Sequence, residues 1–397
     1  MSMASHPATH GPLPDAGVQH FSPQPRITGD VCALVADASA RRVPLRIRAA
    51  ATWLDAGRPV RAATSLDLSA LSGVIEYNPG DLTLTARAGT PLSTIAAVTN
   101  AERQWLSLDP FGSGGTLGAS IATASEGPLA HALGRPRDTV LGLEAVTGAG
   151  AAIRAGGRVV KNVAGFDLTR LMIGAWGTLG VLTEITVRLR ALPEVDVTCA
   201  LRTTGDAANI ERLARALRER PLAPIAAELV NSSLSQQLAL ESGTHLLVRL
   251  AGNARNVDAQ RRELSQMGEV MSMPAHSWTA LAQCEPPGAA VMRLSRAPSS
   301  VASTWHFAST AAPATALVHA TLARGIVRVV LAEDAAQRSA IDALNRFEGV
   351  RVPERMPAPV WHAATFAPIA DDRLSRGVRD RFDPQRVLNP GILGEGS

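Results

Sequence analysis

The 397 residues, 46% of them hydrophobic and 19% charged in both signs, can fill the cores of two domains, or of one large and one small. A net charge of +4 spread along the chain, with no block that would track a phosphate backbone, excludes nucleic-acid binding as the expected function. Three widely spaced cysteines, Cys32, Cys199 and Cys284, make neither a disulfide framework nor a CxxC metal or cluster site, and they suit a reducing cytoplasm.

Residues 1–26 are polar and Pro-rich, lack the basic start and apolar core of a signal peptide, and read as a disordered tail. From Asp30 onward Val31, Leu34, Val35 and Ala38 fall at helical spacing, and Val43-Pro44 leads into the alternating strand LRIRA. Strands are expected at Val74 to Tyr77 and Leu82 to Ala88, separated by the turn signal Asn78-Pro79-Gly80-Asp81. Thr90-Pro91 opens a helix in which Pro91 is the first helical residue, where an amide would have no partner anyway, and Ile95, Ala96 and Val98 form the apolar stripe.

Between Gly112 and Gly180 lie 15 of the 33 glycines, interrupted by expected strands at Val140 to Val146 and Val181 to Leu189. Glycine allows positive φ and close backbone approach at an entropic cost, so such crowding points to loops moulded around a bound molecule; tight turns in a strand-rich domain are the plainer alternative. Past Pro193 the strand-like VDVTCAL, helix-like ANIERLARALRER, strand-like HLLVRLAG and helix-like NVDAQRRELSQM begin a second domain. ATALVHATLARG, IVRVVLAE and DAAQRSAIDALNRF repeat the same helix and strand lengths, which suits a smaller ferredoxin-like α+β cap with helices on one face of a sheet. Leu374 to Leu393 reads as a helix and an ordered loop, FDPQRVLNPGIL, that folds back on the first domain. The expected boundaries are therefore 27–192, 193–370 and a returning segment at 371–397. No stretch approaches the ~20 apolar residues of a membrane span, since even Ala316 to Ala332 is broken by His319, Arg324 and Arg328.

Several common sites are missing. Gly112-x-Gly114 and Gly148-x-Gly150 are followed at the third glycine position by Leu117 and Ile153, so GxGxxG is not met, and no P-loop is present. Among nine histidines only His6 and His10 have HxxxH spacing, inside the Pro-interrupted tail, and no metal site is expected. Ser113 lacks the upstream glycine of a nucleophile elbow.

Three segments between Pro44 and Leu189 resemble the vanillyl-alcohol-oxidase (PCMH-type) FAD-binding family. They are LRIRAAATWLDAGRP, at the family's pyrophosphate loop; DPFGSGGTLGASIATASEG followed by RPRDTVLGLEAVTGAG; and KNVAGFDLTRLMIGAWGTLGVLTEITVRL, the most specific. The KNVAG run and the C-terminal FDPQRVLNPG narrow the similarity to the FAD-binding subunits of bacterial glycolate oxidases.

The resemblance implies an α+β protein: a two-subdomain PCMH-type FAD-binding domain followed by the smaller cap. It implies non-covalent FAD, since the first loop and the second segment up to Gly127 have no histidine or cysteine for attachment. Arg48, Ala49, Ala50, Ala51 and Thr52 would form one backbone nest for the diphosphate. Pro110, Thr116, Gly118, Ala119, Ile121, Ala122 and Thr123 would line its other side and the ribityl chain, with Gly114 and Gly115 giving room. Arg137, Asp138 and Val140 belong to the family's R-D-x-V-L-G strand. Gly177, Thr178, Gly180, Val181, Leu182 and Thr183 would run along the adenine and the flavin, and Asn389 would lie near the flavin ring. Ala49 to Ala51 and Ala119 stand where relatives carry glycine, so either no left-handed residue is needed there or flavin is held more weakly.

The same resemblance implies a subunit of an enzyme oxidising glycolate, a 2-hydroxy acid, to glyoxylate. Its partners would be a larger FAD-binding catalytic subunit and an iron-sulfur subunit, and it would be cytoplasmic, or peripheral at the inner membrane only through those partners. A self-sufficient 2-hydroxy-acid dehydrogenase and a flavin-free structural subunit are the alternatives. The histidine-rich metal motif of related dehydrogenases is absent from the cap, and no catalytic residue is assigned.

Overall fold

The structure is a computed structural model that describes residues 23–157, 167–363 and 366–395. Most of the expected tail, and the KNVAG run at 161–165, lie outside those residues.

Helix α1 (Thr28–Arg41) starts where the Asp30 carboxylate accepts the amides of Arg26 and Ile27, at 2.9 and 3.3 Å, and it ends on a left-handed Arg42. Its apolar stripe packs on a small parallel pair, β1 (Leu45–Arg48) with β2 (Thr64–Asp67). The chain's last segment joins this layer. Leu45 bridges Leu388 in parallel, its amide donating to Val387 O at 2.7 Å and its carbonyl accepting from Asn389 N at 2.9 Å. Val387 and Leu388 are thereby buried with Val31, Val35 and Leu66.

Strands β3 (Val74–Asn78), β4 (Thr83–Arg87), β5 (Gln104–Trp105), β6 (Val140–Val146), β7 (Ala152–Gly156), β8 (Val181–Arg188) and β9 (Arg190–Ala191) follow. Five of them form an antiparallel sheet in the order β3-β4-β8-β6-β7, and β5 pairs with β9. Helices α2 (Leu92–Asn100) and α3 (Leu117–Thr123) bury Ile95, Leu117 and Ile121 against Leu84, Leu182 and Ile185 of this sheet. Pro91 caps α2 from outside, one residue earlier than its expected place in the first turn. Short helices α4 (Pro136–Thr139) and α5 (Leu168–Met172) flank β6.

The second unit differs from the smaller cap expected. Its strands are β10 (Val195–Thr203), β11 (Ala226–Val230), β12 (Thr244–Gly252), β13 (Val270–Met273), β14 (Ala290–Ser295), β15 (Leu317–Thr321), β16 (Ile326–Leu331) and β17 (Val350–Arg355). They make one eight-stranded sheet ordered β13-β10-β12-β11-β15-β16-β14-β17. Helix α6 (Ala207–Glu219) joins β10 to β11, and α8 (Ala254–Ser265) joins β12 to β13. The intervening helices are α7 (Ser232–Gln237), between β11 and β12, and α9 (Ser277–Ala282), before β14. Helix α10 (Val301–Ala311) then joins β14 to β15, and α11 (Gln337–Leu344) joins β16 to β17.

Each half is thus a ferredoxin-like βαββαβ unit, and the two are welded edge to edge where β11 pairs with β15. Helices do not cover one face alone. Cys199, Leu201, Leu246 and Val248 point into one apolar cluster, while Ala200 and Leu247 point into another that includes Leu234 of α7 and Leu281 of α9. Alternation along a strand sends successive side chains to opposite faces, so a sheet covered on both sides has strands with few polar positions.

Helices α12 (Ala358–Ala363) and α13 (Arg373–Phe382) complete the described chain, and Asp372 caps α13 by accepting the amides of Leu374 and Ser375. No helix of the described residues is long and apolar enough to cross a membrane.

The second unit is tied to the first at several points. Arg355 pairs with Asp55 at 2.7 Å, Gly57 N donates to Glu354 O at 3.1 Å, and Gly112 N donates to Ala282 O at 2.7 Å.

A cavity where three loops and the second unit meet

A cavity of about 520 Å³ lies between the units. The bend after β1 enters it through Arg48 to Leu54, the glycine-rich loop through Pro110 to Thr116, and the turn before β8 through Trp176, Gly177 and Gly180 to Leu182. Three features shape it for a bound molecule. Gly112, Gly114 and Gly177 have φ of 87°, 67° and 68°, the left-handed region open to glycine. Among the described residues, the backbone amides of Ala50, Ala51, Thr52, Ser113, Gly114, Gly115, Thr116 and Gly177 donate to no protein acceptor. The buried indole Nε1 of Trp53 also has no partner there. Backbone donors without a protein acceptor, on loops that border one cavity, are what a nest for an anion such as a diphosphate requires, and they would lose their water once such a molecule covered them.

Of the residues expected from the sequence, Arg48 to Thr52, Pro110, Gly114 to Thr116, Gly118, Ala119, Ala122, Thr123, Gly177, Gly180 to Leu182 and Asn389 line the cavity. Six expected contacts lie off its wall. Ile121 and Thr183 point into the apolar interior or toward Glu144, because only some positions of α3 and β8 face the cavity, and Val140 is buried in β6, a strand with no residue on the cavity wall. Thr178 is buried with its hydroxyl donating to Ala175 O at 2.7 Å. Arg137 and Asp138 are exposed in α4, where Asp138 accepts from Arg135 N at 2.9 Å.

The two alanine departures have different outcomes. Ala119 sits inside α3 and accommodates its side chain in helical backbone. Gly118 is the position that must stay bare: a Cβ there would lie 2.7 Å from both Cβ and O of Ala88. Ala51, by contrast, is left-handed at φ 57°. Replacing Ala51 by Gly is therefore expected to raise stability by about 1 kcal/mol, read as a shift in the urea midpoint at unchanged slope. An unchanged or lower midpoint would mean that this bend carries no strain.

Asn389 lines the cavity, but its amide serves as a brace. Oδ1 accepts from Ile47 N at 2.8 Å and Nδ2 donates to Trp176 O at 2.8 Å, so one side chain joins the end of β1 to the turn before β8. The left-handed φ of 43° at Asn389 is a conformation that Asn tolerates better than most side chains.

Sequence reasoning missed Asp109, Trp53, Trp105, Arg249 and Trp278, all on the cavity wall. Asp109 accepts from Leu129 N at 2.7 Å and Gly127 N at 3.3 Å, yet burial pushes its carboxyl up to about 7, against the pull of those two amides. A carboxyl whose pKa is higher folded than unfolded contributes stability below its unfolded pKa, and that contribution fades as pH rises through 7. Asp109→Asn is expected to be more stable than the parent by about 2 kcal/mol at pH 8.5 and by nothing at pH 5, one amide donor being left unmet. Thermal unfolding at the two pH values measures this, and an equal effect at both would refute the assignment.

Comparison with known proteins adds the cofactor. Residues 23–156 match the FAD binding domain family. This segment, and with it the first unit, is therefore similar to FAD binding domains. Glycolate oxidase subunit GlcE of Escherichia coli (strain K12) is 42% identical over 158 residues, 39% of this chain and 45% of that protein. Glycolate oxidase subunit GlcD of Bacillus subtilis (strain 168) is 35% identical over 201 residues, 49% of this chain and 41% of that protein. The matches span less than half the length of these two curated relatives. A structure of p-cresol methylhydroxylase with substrate bound superimposes with a TM-score of 0.74 at 16% identity, covering 97% of this chain and 90% of that one, which establishes a shared fold. The unpartnered amides and left-handed glycines fit the FAD binding domain, and the diphosphate is the group they would hold.

Proposed function

We propose that this chain is the FAD-binding subunit of a glycolate oxidase or dehydrogenase that converts glycolate to glyoxylate and delivers electrons to partner subunits, a larger flavoprotein and an iron-sulfur protein. The observation that carries the reading is the set of backbone amides without protein acceptors on loops that border one cavity, in a segment similar to FAD binding domains. The similarity to the two glycolate oxidase subunits supports the choice of substrate and complex. Bound FAD would supply a two-electron acceptor. The chain's own part is to hold it: the bends at Ala50 to Thr52 and Ser113 to Thr116 would supply donors to the diphosphate, and Asn389 ties the end of β1, from which the first bend leaves, to Trp176.

The test is the visible spectrum of the purified chain before and after anaerobic glycolate. Flavin absorbance that glycolate bleaches only once the partner subunits are added is the expected result. Bleaching of the isolated chain would replace the proposal with a self-sufficient dehydrogenase, and a colourless protein that takes up no added FAD would replace it with a flavin-free structural subunit.

A further inference from the structure

Among the described residues, the second unit contributes one charged side chain to the cavity wall, Arg249, with apolar Val248 and Leu250 on either side of it in strand β12. Its cross-strand partners are Ala226 on β11 and Thr198 on β10. That row faces the cavity beside Trp278, whose Nε1 donates to the Thr198 hydroxyl at 2.8 Å. Asp196, two residues along β10, grips the guanidinium from one side, accepting from Nε at 2.9 Å and from Nη2 at 2.6 Å. Nη1 makes no hydrogen bond among the described residues, and the guanidinium carbon lies 5.9 Å from the centre of the Trp105 ring. A fork held on one edge by a carboxylate presents its remaining N–H donors in a fixed direction, and a planar guanidinium matches a carboxylate better than a lysine ammonium does.

Resting on the FAD reading of the same cavity, the geometry points to Arg249, braced by Asp196, as the anchor for the carboxylate of a small 2-hydroxy acid at the end of the cavity nearest β12. Asp109 also lines the cavity and is compatible with an anion there, because burial pushes its carboxyl up to about 7 and so favours its neutral form below that pH. The pairing with Asp196 would by itself suit a purely structural role, tying β12 to β10. What separates the two is a free donor edge inside a cavity, which a strand-to-strand tie has no need of.

The test measures binding at pH 6.5 by titration calorimetry, on the full chain with its flavin, using glycolate, oxalate and the uncharged glycolamide. Glycolate and oxalate are expected to bind more tightly than glycolamide. Arg249→Gln should weaken both carboxylates by roughly 10- to 100-fold and leave glycolamide unchanged, with Arg249→Lys in between. Equal affinity of the unaltered chain for glycolate and glycolamide overturns the inference even if a variant fails to fold, and so does carboxylate binding untouched in Arg249→Gln. Flavin content read from the same samples keeps the two questions apart, because a chain without flavin overturns the FAD reading while its glycolate titration still judges Arg249.

Discussion

Replacing Arg328 by Met is expected to destabilise the chain by about 3 kcal/mol at pH 8, and by much less at about pH 3, below the ordinary carboxylate range. Arg328 lies in β16 with 2% of its side chain exposed, bonded to Glu285 at 2.7 Å and to Glu354 at 2.5 Å. Its guanidinium also sits 3.6 Å from the centre of the Phe111 ring, which lines the cavity. Methionine keeps most of the volume and removes the charge, leaving Arg355 for Glu285 and Arg293 for Glu354. The loss therefore falls at the low end of what a broken buried pair costs.

The pH dependence follows from Glu285. Burial would raise its carboxyl, but Arg328 and Arg355 outweigh burial and hold it below the usual range. A depressed carboxyl contributes stability above its unfolded pKa and loses it as pH falls through the folded value. The parent should thus weaken on acidification faster than the variant, and the gap between them should close. Urea unfolding at both pH values measures the gap; a constant gap would mean that packing on Phe111, rather than charge, is what Arg328 contributes.

Arg328 and Arg249 also mark where sequence reading stops. In IVRVVLAE and HLLVRLAG the apolar positions are enough to expect strands, and both are strands. What each arginine meets depends on which face of the sheet lies against the first unit. That is a property of docking between segments far apart in the chain, and no local period encodes it. The usable signal was simpler: a charge inside a strand whose neighbours are apolar on both faces has to be paired, and a paired buried charge is worth following. The same limit hid the doubling of the ferredoxin-like unit. VASTWHFASTA, which forms α10, is rich in Ser and Thr and has no clean polar face, so the second unit's first helix is hard to see. Within ATALVHATLARG the element formed is β15 followed by a turn.

The cavity-lining loops were legible because glycine leaves a trace of backbone conformation in the sequence. Gly112, Gly114 and Gly177 are left-handed and sit on the wall, as crowding of glycine between 112 and 180 implied. The periodicity of regular elements was the less reliable guide there. Ile121 and Thr183 belong to segments that touch the cavity, but a helix or strand shows it only some of its side chains, and Val140 lies in a strand with no residue on the cavity wall. A motif names a segment, and the alternation within the segment decides which members reach the ligand.

Gly118→Ala is expected to cost about 3 kcal/mol and most of the bound flavin, whereas Ala119→Gly one position on should cost at most about 1 kcal/mol and leave flavin in place. The contrast comes from what each Cβ meets. Gly118 N donates to Ala88 O at 2.7 Å, and an added methyl would press within 2.7 Å of that same carbonyl and of the Ala88 side chain. Ala88 follows β4 and its amide is bonded to Thr183 O at 2.9 Å, so it cannot yield without disturbing the sheet. The strain is relieved instead by moving the start of α3, where Thr116 accepts from Ala119 N at 3.3 Å and the unpartnered amides of Ser113 to Thr116 lead in. Those amides are the donors assigned to the diphosphate, so a shift of a few tenths of an ångström in α3 reaches the cofactor directly. Flavin absorbance per chain after gel filtration, beside the urea midpoint, reads both effects. Full flavin in Gly118→Ala would detach the α3 end of the cavity from cofactor binding.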